Sequence, residues 1–212
     1  CCGSSPAHSA DPLLSSALAG RNLAIAEAEG CDVVMTPCPG CLKSLKGALE
    51  TCHDPQQCDA FREILGMPFE GRIRAMSVLE LLYKDVGVDA LRAQVQKPYA
   101  DQVIVPYYGC LLTRPPKFAD FDDPENPVSM DRLLEAVGVT VPDFPYKTEC
   151  CGATYGVTRN DIVGKLTGRI LDMALRVGAE AVAVACPLCQ QNLDLRQAQV
   201  NRHMNRTFDL PV

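Results

Sequence analysis

The hydrophobic residues of this chain follow two patterns: some recur at helical spacing, and others form the short apolar runs typical of buried strands. The predicted helices cover residues 10–29, 42–50, 76–86, 88–95, 130–137, 159–177 and 190–203. The predicted strands cover residues 32–36, 102–107 and 181–185, with a short extended piece at 139–144. Strands that alternate with helices predict an α/β fold, in which small, mostly parallel sheets are flanked by helices.

The order helix, strand, helix occurs twice, and the two copies share sequence as well as pattern. A common separation of 148 positions pairs residues 18–26 with 166–174, Gly30 with Gly178, Val34 with Val182, and Cys38 with Cys186. Two structural accidents would not share one register, so the sequence contains an internal repeat. We therefore expect two pseudo-symmetric domains, residues 1–98 and residues 99–212.

Cysteines lie at the ends of the predicted strands. In the second half they are Cys110, the pair Cys150 and Cys151, and Cys186 and Cys189 of a C-P-x-C motif. Five cysteines are one more than tetrahedral zinc needs, and an odd number cannot form a closed set of disulfides. A thiolate set of this density with C-x-x-C spacing indicates iron–sulfur ligation.

The first half carries a similar set, Cys1, Cys2, Cys38 and Cys41. Four cysteines could hold an iron–sulfur cluster, and they also suit zinc. In both halves the C-P-x-C motif lies where a strand ends and a helix begins, where unpaired N–H groups and the helix dipole favour an anionic group. Proline suits that first helical turn because its missing N–H costs nothing there.

The adjacent cysteines Cys150 and Cys151 are unusual ligands. Neighbouring side chains of an extended backbone point in opposite directions, so the pair would serve one iron poorly and could reach two irons of one cluster. A vicinal disulfide is the alternative, and its geometry is strained. The glycine after each pair, Gly3 or Gly152, permits a positive φ and a close approach of the backbone to a cluster.

Other polar and reactive residues have simpler interpretations. We place Cys31, Cys52 and Cys58 outside the site, and we interpret Cys52-His53 and Cys58 as part of a polar loop that is incomplete as a metal site. Tyr107 and Tyr108, at a strand end, are interpreted as core residues, with a place in a substrate cavity as the alternative. For the basic residues nearest the motif, surface solvation is favoured over binding of an anionic thiol; these are Lys117, Lys147 and Arg159.

Composition narrows the class of protein. The net charge of −6 argues against nucleic acid and anionic membrane surfaces as partners. No apolar run reaches the roughly 18 residues of a membrane helix, and no signal peptide opens the chain. Twelve cysteines in a chain with long helical periods favour metal-bound thiolates in a reducing cytoplasm over a secreted disulfide scaffold. No G-x-G-x-x-G opens a helix after a strand, so no flavin or nicotinamide site is indicated.

The paired C-C-G motifs, each followed by C-P-x-C, resemble the CCG-domain family, and in particular the B-type subunits of heterodisulfide reductases and their bacterial homologues. The runs typical of that branch are residues 107–116, 121–127 and 145–152. The resemblance covers essentially the whole chain. The family also places a lone cysteine before its first C-C-G, whereas this chain begins at that C-C-G. We therefore expect that an N-terminal segment is missing, and a lead cysteine in that segment would favour a second cluster over zinc at the first site.

The resemblance implies a non-cubane [4Fe-4S] cluster at Cys110, Cys150, Cys151, Cys186 and Cys189, and a second one at Cys1, Cys2, Cys38 and Cys41, where zinc is the alternative. It implies a catalytic subunit that reduces or forms a disulfide between the two clusters, as in CoB–CoM heterodisulfide reduction. Electrons would come from a cubane iron–sulfur subunit and a flavin-containing subunit, and the substrate would be a small thiol or disulfide.

Two other functions stay open at this point. One is an electron-transfer subunit of a bacterial complex, for example in sulfur oxidation, that has no heterodisulfide substrate. The other is a zinc-binding assembly subunit. Turnover with disulfides separates the first from the enzyme, and metal analysis separates the second.

Overall fold

The computed structural model describes residues 2–212, apart from the side chains of residues 4–6. It confirms the predicted α/β class, with two small parallel sheets and helices around them. The chain divides into two compact units, of which the first ends at Val78 and the second begins at Leu79. The predicted domain boundary between residues 98 and 99 stays a prediction.

The first unit contains one sheet of two strands. Its elements are α1 (Ser4–Ala10), α2 (Pro12–Ala28), β1 (Val33–Thr36), α3 (Pro39–His53), α4 (Cys58–Leu65) and β2 (Arg74–Ser77). Strands β1 and β2 are parallel, with Val33 opposite Arg74. Helix α2 begins where it does because the Asp11 carboxylate accepts hydrogen bonds from the first free N–H groups and Pro12 fits the first turn.

The second unit has a matching sheet. The elements from Val78 onward are α5 (Val78–Glu80), a π-helical turn (Leu81–Val86), α6 (Val88–Gln94), β3 (Ile104–Tyr107), α7 (Pro116–Ala119), α8 (Ser129–Ala136), a 3₁₀ turn (Ala153–Tyr155), α9 (Asn160–Arg176), β4 (Ala181–Val184), α10 (Pro187–Gln190), a second π-helical turn (Gln191–Leu195) and α11 (Gln197–Met204). Strands β3 and β4 are parallel, with Ile104 opposite Ala181. Leu79, on α5, packs with Tyr108 and Leu133 of this unit.

The repeat in the sequence is also a structural repeat. Helices α2 and α9 each have 17 residues, and their boundaries, like those of β1 and β4, lie 148 positions apart. Gly20 and its counterpart Gly168 both leave room for a side chain from a later helix. A Cβ at Gly20 would clash with Phe61 of α4, and one at Gly168 would clash with Met204 of α11. In both units the repeat helix therefore packs closely against a later helix.

Two predictions of secondary structure were wrong. Met76 and Ser77, predicted to begin a helix, end strand β2, where they pair with Met35 and Thr36 of β1. The region 51–74, for which no helix or strand was predicted, contains α4, and Phe61 of that helix is completely buried. Both errors have one cause, because contacts with distant residues override weak local signals.

Among the helices of residues 2–212, none is long and apolar enough to cross a membrane.

Candidate metal centre

Strands β3 and β4 bring the cysteines of the second set to one edge of the sheet. Parallel strands end at the same edge. Strand β3 ends at Tyr107, three residues before Cys110, and β4 ends two residues before Cys186. Cys186 is the N-cap of α10, and Cys189 lies in the first turn of that helix. The fold thus explains why Cys110 and the C-P-x-C motif converge although 75 residues separate them.

The thiols of the second set are close enough to interact. The Sγ atoms of Cys151 and Cys189 are 3.6 Å apart. Burial is the main cause that raises the pKa of Cys110 to about 12, and the neighbouring Cys150 thiol acts in the same direction. Cys151 also raises the pKa of Cys110 through its charge. All of these contacts lie within the second unit.

Cys189 is the thiol that contacts two others of the set. Hydrogen bonding with Cys189 lowers the pKa of Cys186 to about 6 and that of Cys151 to about 7. The pKa of Cys189 is raised by the same contacts with Cys151 and Cys186. Backbone N–H groups of Leu188 and Cys189 also stabilise the Cys186 thiolate. Because the single S–H of Cys189 can donate to only one sulfur at a time, this contact favours the thiolate form, in which cysteine binds metal, at either Cys186 or Cys151.

The adjacent cysteines differ in exposure, as the extended-backbone argument predicts. Cys150 is exposed, whereas Cys151 is only 2% exposed. Gly152, which follows the pair, has a φ of +80°, and the equivalent Gly3 has a φ of +82°. This left-handed backbone lets the Gly152 N–H return to the Cys150 Sγ at 3.3 Å.

The backbone of Cys151 is held by two buried side chains that the sequence did not predict as part of the site. Thr167 Oγ1 and Asn192 Nδ2 each donate to the Cys151 carbonyl oxygen at 3.1 Å, and Asn192 also lies 3.6 Å from the Cys151 Sγ. A sequence signal existed for Asn192, since a residue three positions after Cys189 shares its face of the helix. The counterparts of these residues in the first unit are Ala19 and Ser44, and Ser44 Oγ donates to the Gly40 carbonyl instead.

The donor chemistry of the second set fits an iron–sulfur cluster. Every cysteine among residues 2–212 is a free thiol, so no vicinal disulfide joins Cys150 and Cys151. Tetrahedral zinc takes four thiolates, one fewer than this set provides. Five thiols around one edge suit a larger group with several irons.

The structure describes three of the four predicted ligands of the first set, Cys2, Cys38 and Cys41. The Sγ atoms of Cys2 and Cys41 are 3.0 Å apart, and burial followed by hydrogen bonds with Cys2 and Cys38 raises the pKa of Cys41 to about 12. Cys38 is the N-cap of α3, and its N–H donates to Thr36 Oγ1 at 3.3 Å. The predicted ligand Cys1 lies outside the described residues. Three predicted ligands thus meet at the end of β1.

The residues left outside the site have structural positions of their own. Cys52 does not lie in a polar loop, because it is buried in the core on helix α3, and Cys58 begins α4. Lys117 is exposed and Arg159 pairs with Asp161 at the surface, as predicted. Surface solvation was wrong for Lys147, whose Nζ is buried 2.5 Å from Asp131 Oδ1. The prediction that Tyr107 and Tyr108 are core residues is confirmed, since both are fully buried.

Comparison with known proteins supports the interpretation of these cysteine sets. The profile of the cysteine-rich domain called CCG matches residues 1–46 and 104–194, which include all nine predicted ligands. The chain belongs to the CCG cysteine-rich domain family. The two matched regions of this CCG chain are also the two regions that carry the internal repeat.

Curated relatives of this CCG chain are named as subunits of reductases. The B-type subunit of the ferredoxin:CoB-CoM heterodisulfide reductase of Methanosarcina mazei is 33% identical over 92% of this chain and 67% of the relative. The 8-methylmenaquinol:fumarate reductase membrane anchor subunit of Wolinella succinogenes is 31% identical over 100% of this chain and 74% of the relative. A protein of Archaeoglobus profundus, named as similar to the B-type subunit of heterodisulfide reductase, is 29% identical over 92% and 68%.

Gly109→Ala should disturb the second cysteine set of this CCG chain. Gly109 has a φ of +71°, and an added Cβ would lie 3.1 Å from the Cys189 Sγ. We expect a loss of about 1–3 kcal/mol in the free energy of unfolding, because a side chain would be forced into a left-handed backbone. Urea denaturation measures it. Gly47→Ala is the matched control, since that glycine is inside α3 with no atom within 4 Å of an added Cβ. Equal stability changes in the two variants would contradict this prediction.

Proposed function

We propose that this chain is the iron–sulfur subunit of a heterodisulfide reductase-like complex, which reduces or forms a disulfide of the CoB–CoM type. The single observation that supports this most is the second cysteine set. Its five thiols converge where parallel strands end, and two of them have pKa values lowered toward the thiolate form. The relatives named after heterodisulfide reductase support the choice of substrate class.

The ligands that we propose for the second cluster are Cys110, Cys150, Cys151, Cys186 and Cys189, and those for the first are Cys1, Cys2, Cys38 and Cys41, each cluster being a non-cubane [4Fe-4S] group. When bound, such clusters would supply the electrons and the soft metal that reductive cleavage of an S–S bond needs. Zinc at the first set is the alternative.

The protein's own residues would hold and shield the second cluster. Cys151 and Cys189 are buried and would fix its inner side, while the exposed Cys150 would lie at the side open to solvent, where a small thiol can approach. Asn192 and the Gly152 N–H point toward the sulfurs of Cys151 and Cys150. Donors of this kind stabilise negative charge on ligand sulfurs and tune the reduction potential of a cluster.

A second function has its own support. The relative from Wolinella succinogenes is named as part of an 8-methylmenaquinol:fumarate reductase, whose name includes no disulfide. An electron-transfer subunit without a disulfide substrate therefore stays an alternative. It would use the same cysteine sets and differ only in the lack of disulfide turnover.

The partners that we propose are a cubane iron–sulfur subunit and a flavin-containing subunit. The sequence has no G-x-G-x-x-G that opens a helix after a strand. A two-electron reductase without a nicotinamide or flavin site must receive its electrons from another protein.

Electron supply gives a direct test of the proposed reductase. Chain purified without oxygen should contain iron and labile sulfide, and it should reduce a small disulfide with reduced viologen but not with NADPH alone. The measurement is steady-state disulfide reduction with each donor, after metal analysis. Zinc without sulfide would contradict the iron–sulfur assignment. Iron and sulfide without viologen-driven turnover would favour the electron-transfer alternative, and rapid turnover on NADPH alone would show that a cofactor site exists.

A further inference from the structure

Two consecutive buried tyrosines lie at the end of strand β3, just before the predicted ligand Cys110. Tyr107 is the last residue of β3 and Tyr108 follows it, and both side chains are fully buried. A buried phenol needs a hydrogen-bond partner. Each of these two hydroxyl groups finds its partner in a different part of the second unit.

Tyr107 reaches the segment that carries the C-C-G motif. Its hydroxyl donates to the Glu149 carbonyl oxygen at 2.6 Å, and Glu149 directly precedes Cys150. Burial raises the pKa of Tyr107, and the charges of surrounding cysteine thiols, with Cys189 and Cys151 first among them, raise it further. The phenol therefore lies among the cysteines of the second set and joins strand β3 to the segment before Cys150.

Tyr108 is held by helix α8. Its hydroxyl donates to Asp131 Oδ2 at 2.6 Å and accepts from the Met130 N–H at 2.7 Å. The backbone on either side is fixed as well, because the N–H groups of Tyr108 and Gly109 both donate to the Lys147 carbonyl oxygen, at 2.9 and 3.1 Å. These bonds join the segment before Cys110 to the segment before Cys150.

The two adjacent cysteines of the C-C-G motif are held by different groups. The carbonyl of Cys151 accepts from Thr167 and Asn192, which lie on other helices. The carbonyl that precedes Cys150 accepts from Tyr107. Removal of the Tyr107 hydroxyl should therefore loosen the backbone that leads into Cys150, while Cys151 keeps both hydrogen bonds to its carbonyl.

We propose that Tyr107 and Tyr108, here called the tyrosine clamp, are positioning residues that set the separation of the Cys110 and Cys150 thiols. The clamp deepens the proposed function and rests on it, since this separation matters most if both thiols bind one cluster. If adjacent cysteines bind one cluster, the exposed ligand Cys150 must be held in place independently of Cys151. The tyrosine clamp would hold it from strand β3, the strand that also leads to Cys110.

Disulfide trapping in the full chain without metal tests the clamp. Diamide oxidises nearby thiols to disulfides, and mass spectrometry of peptides measures two products, the Cys110–Cys150 link and the Cys151–Cys189 link. We expect Tyr107→Phe to lower the ratio of the first link to the second by up to about tenfold, the effect of losing one buried hydrogen bond. Because the two links form in one molecule, the second link serves as an internal reference for the amount of oxidant and of protein.

Two further variants keep this test decisive. Tyr108→Phe removes the second hydroxyl and should lower the same ratio, even if Tyr107→Phe fails to fold. Tyr99→Phe makes the same chemical change at a side chain that is 56% exposed, and it should leave the ratio unchanged. A ratio equal to that of the unmodified chain in both clamp variants would overturn the proposal.

The loaded protein provides an independent readout. If the unmodified chain takes up iron and sulfide, Tyr107→Phe should bind a similar amount and show a changed electron paramagnetic resonance spectrum, since one ligand has moved. An unchanged spectrum together with an unchanged trapping ratio rejects the clamp. If the unmodified chain takes up no iron, the proposed function fails, and the trapping ratio alone still decides whether the clamp exists.

Discussion

Cys151→Ala is expected to abolish iron binding at the second cysteine set. Cys151 is the buried member of its pair, hydrogen bonding with Cys189 lowers its pKa to about 7, and two side chains fix its carbonyl. A methyl group in its place removes a ligand from the buried side of the site. Total iron should fall by about half if both sets are loaded, because each set would hold one cluster.

Metal and sulfide analysis after reconstitution without oxygen measures this loss. Cys186→Ala should have the same effect, since Cys186 is the N-cap of α10 and hydrogen-bonds with Cys189. Cys58→Ala is the matched control, because Cys58 begins helix α4 in the first unit and lies outside the repeated motif. Unchanged iron stoichiometry in Cys151→Ala would refute the five-ligand assignment, and an equal loss in Cys58→Ala would show that the effect is not specific to the site.

The parts of the fold that the sequence predicted well are those set by local pattern and by repetition. The helix over 159–177 and the strand over 181–185 were each predicted to within one residue of α9 and β4. The repeat supports each assignment a second time, since α2 and β1 carry the same periods at a fixed separation. The same pattern predicted that cysteines lie at the ends of strands, because a C-P-x-C motif follows each apolar run.

The features that the sequence did not predict depend on contacts between distant residues. Met76 and Ser77 are strand residues because β1 pairs with them, although their apolar neighbours fit a helical period. Thr167 and Asn192 bond to the Cys151 carbonyl, a partner that side-chain patterns do not specify. The burial of Lys147 depends on Asp131, which lies 16 residues earlier on helix α8. Such pairs are found only when the topology is known.

The ion pair of Lys147 and Asp131 should contribute strongly to the stability of the second unit. The side chains are 11% and 14% exposed, and Lys147 Nζ also donates to the Pro127 carbonyl oxygen at 3.3 Å. Removal of one partner of a buried pair leaves an uncompensated charge, at a cost of about 3–5 kcal/mol. Since both groups keep some contact with solvent, we expect Lys147→Met to lower the free energy of unfolding by about 3 kcal/mol.

A double variant separates the charge from the packing. Asp131 Oδ2 also accepts from Tyr108, so Asp131→Asn removes the charge and keeps an oxygen acceptor for that phenol. Lys147→Met combined with Asp131→Asn should therefore recover at least about 1 kcal/mol relative to Lys147→Met alone, as expected when a stranded buried charge is neutralised. Urea denaturation of the three proteins gives these differences.

Lys165→Met makes the same change at an exposed residue of α9, and its free energy of unfolding should stay within about 0.5 kcal/mol of that of the unmodified chain. If Lys147→Met behaved like Lys165→Met, the pair would not be a stabilising feature of this unit.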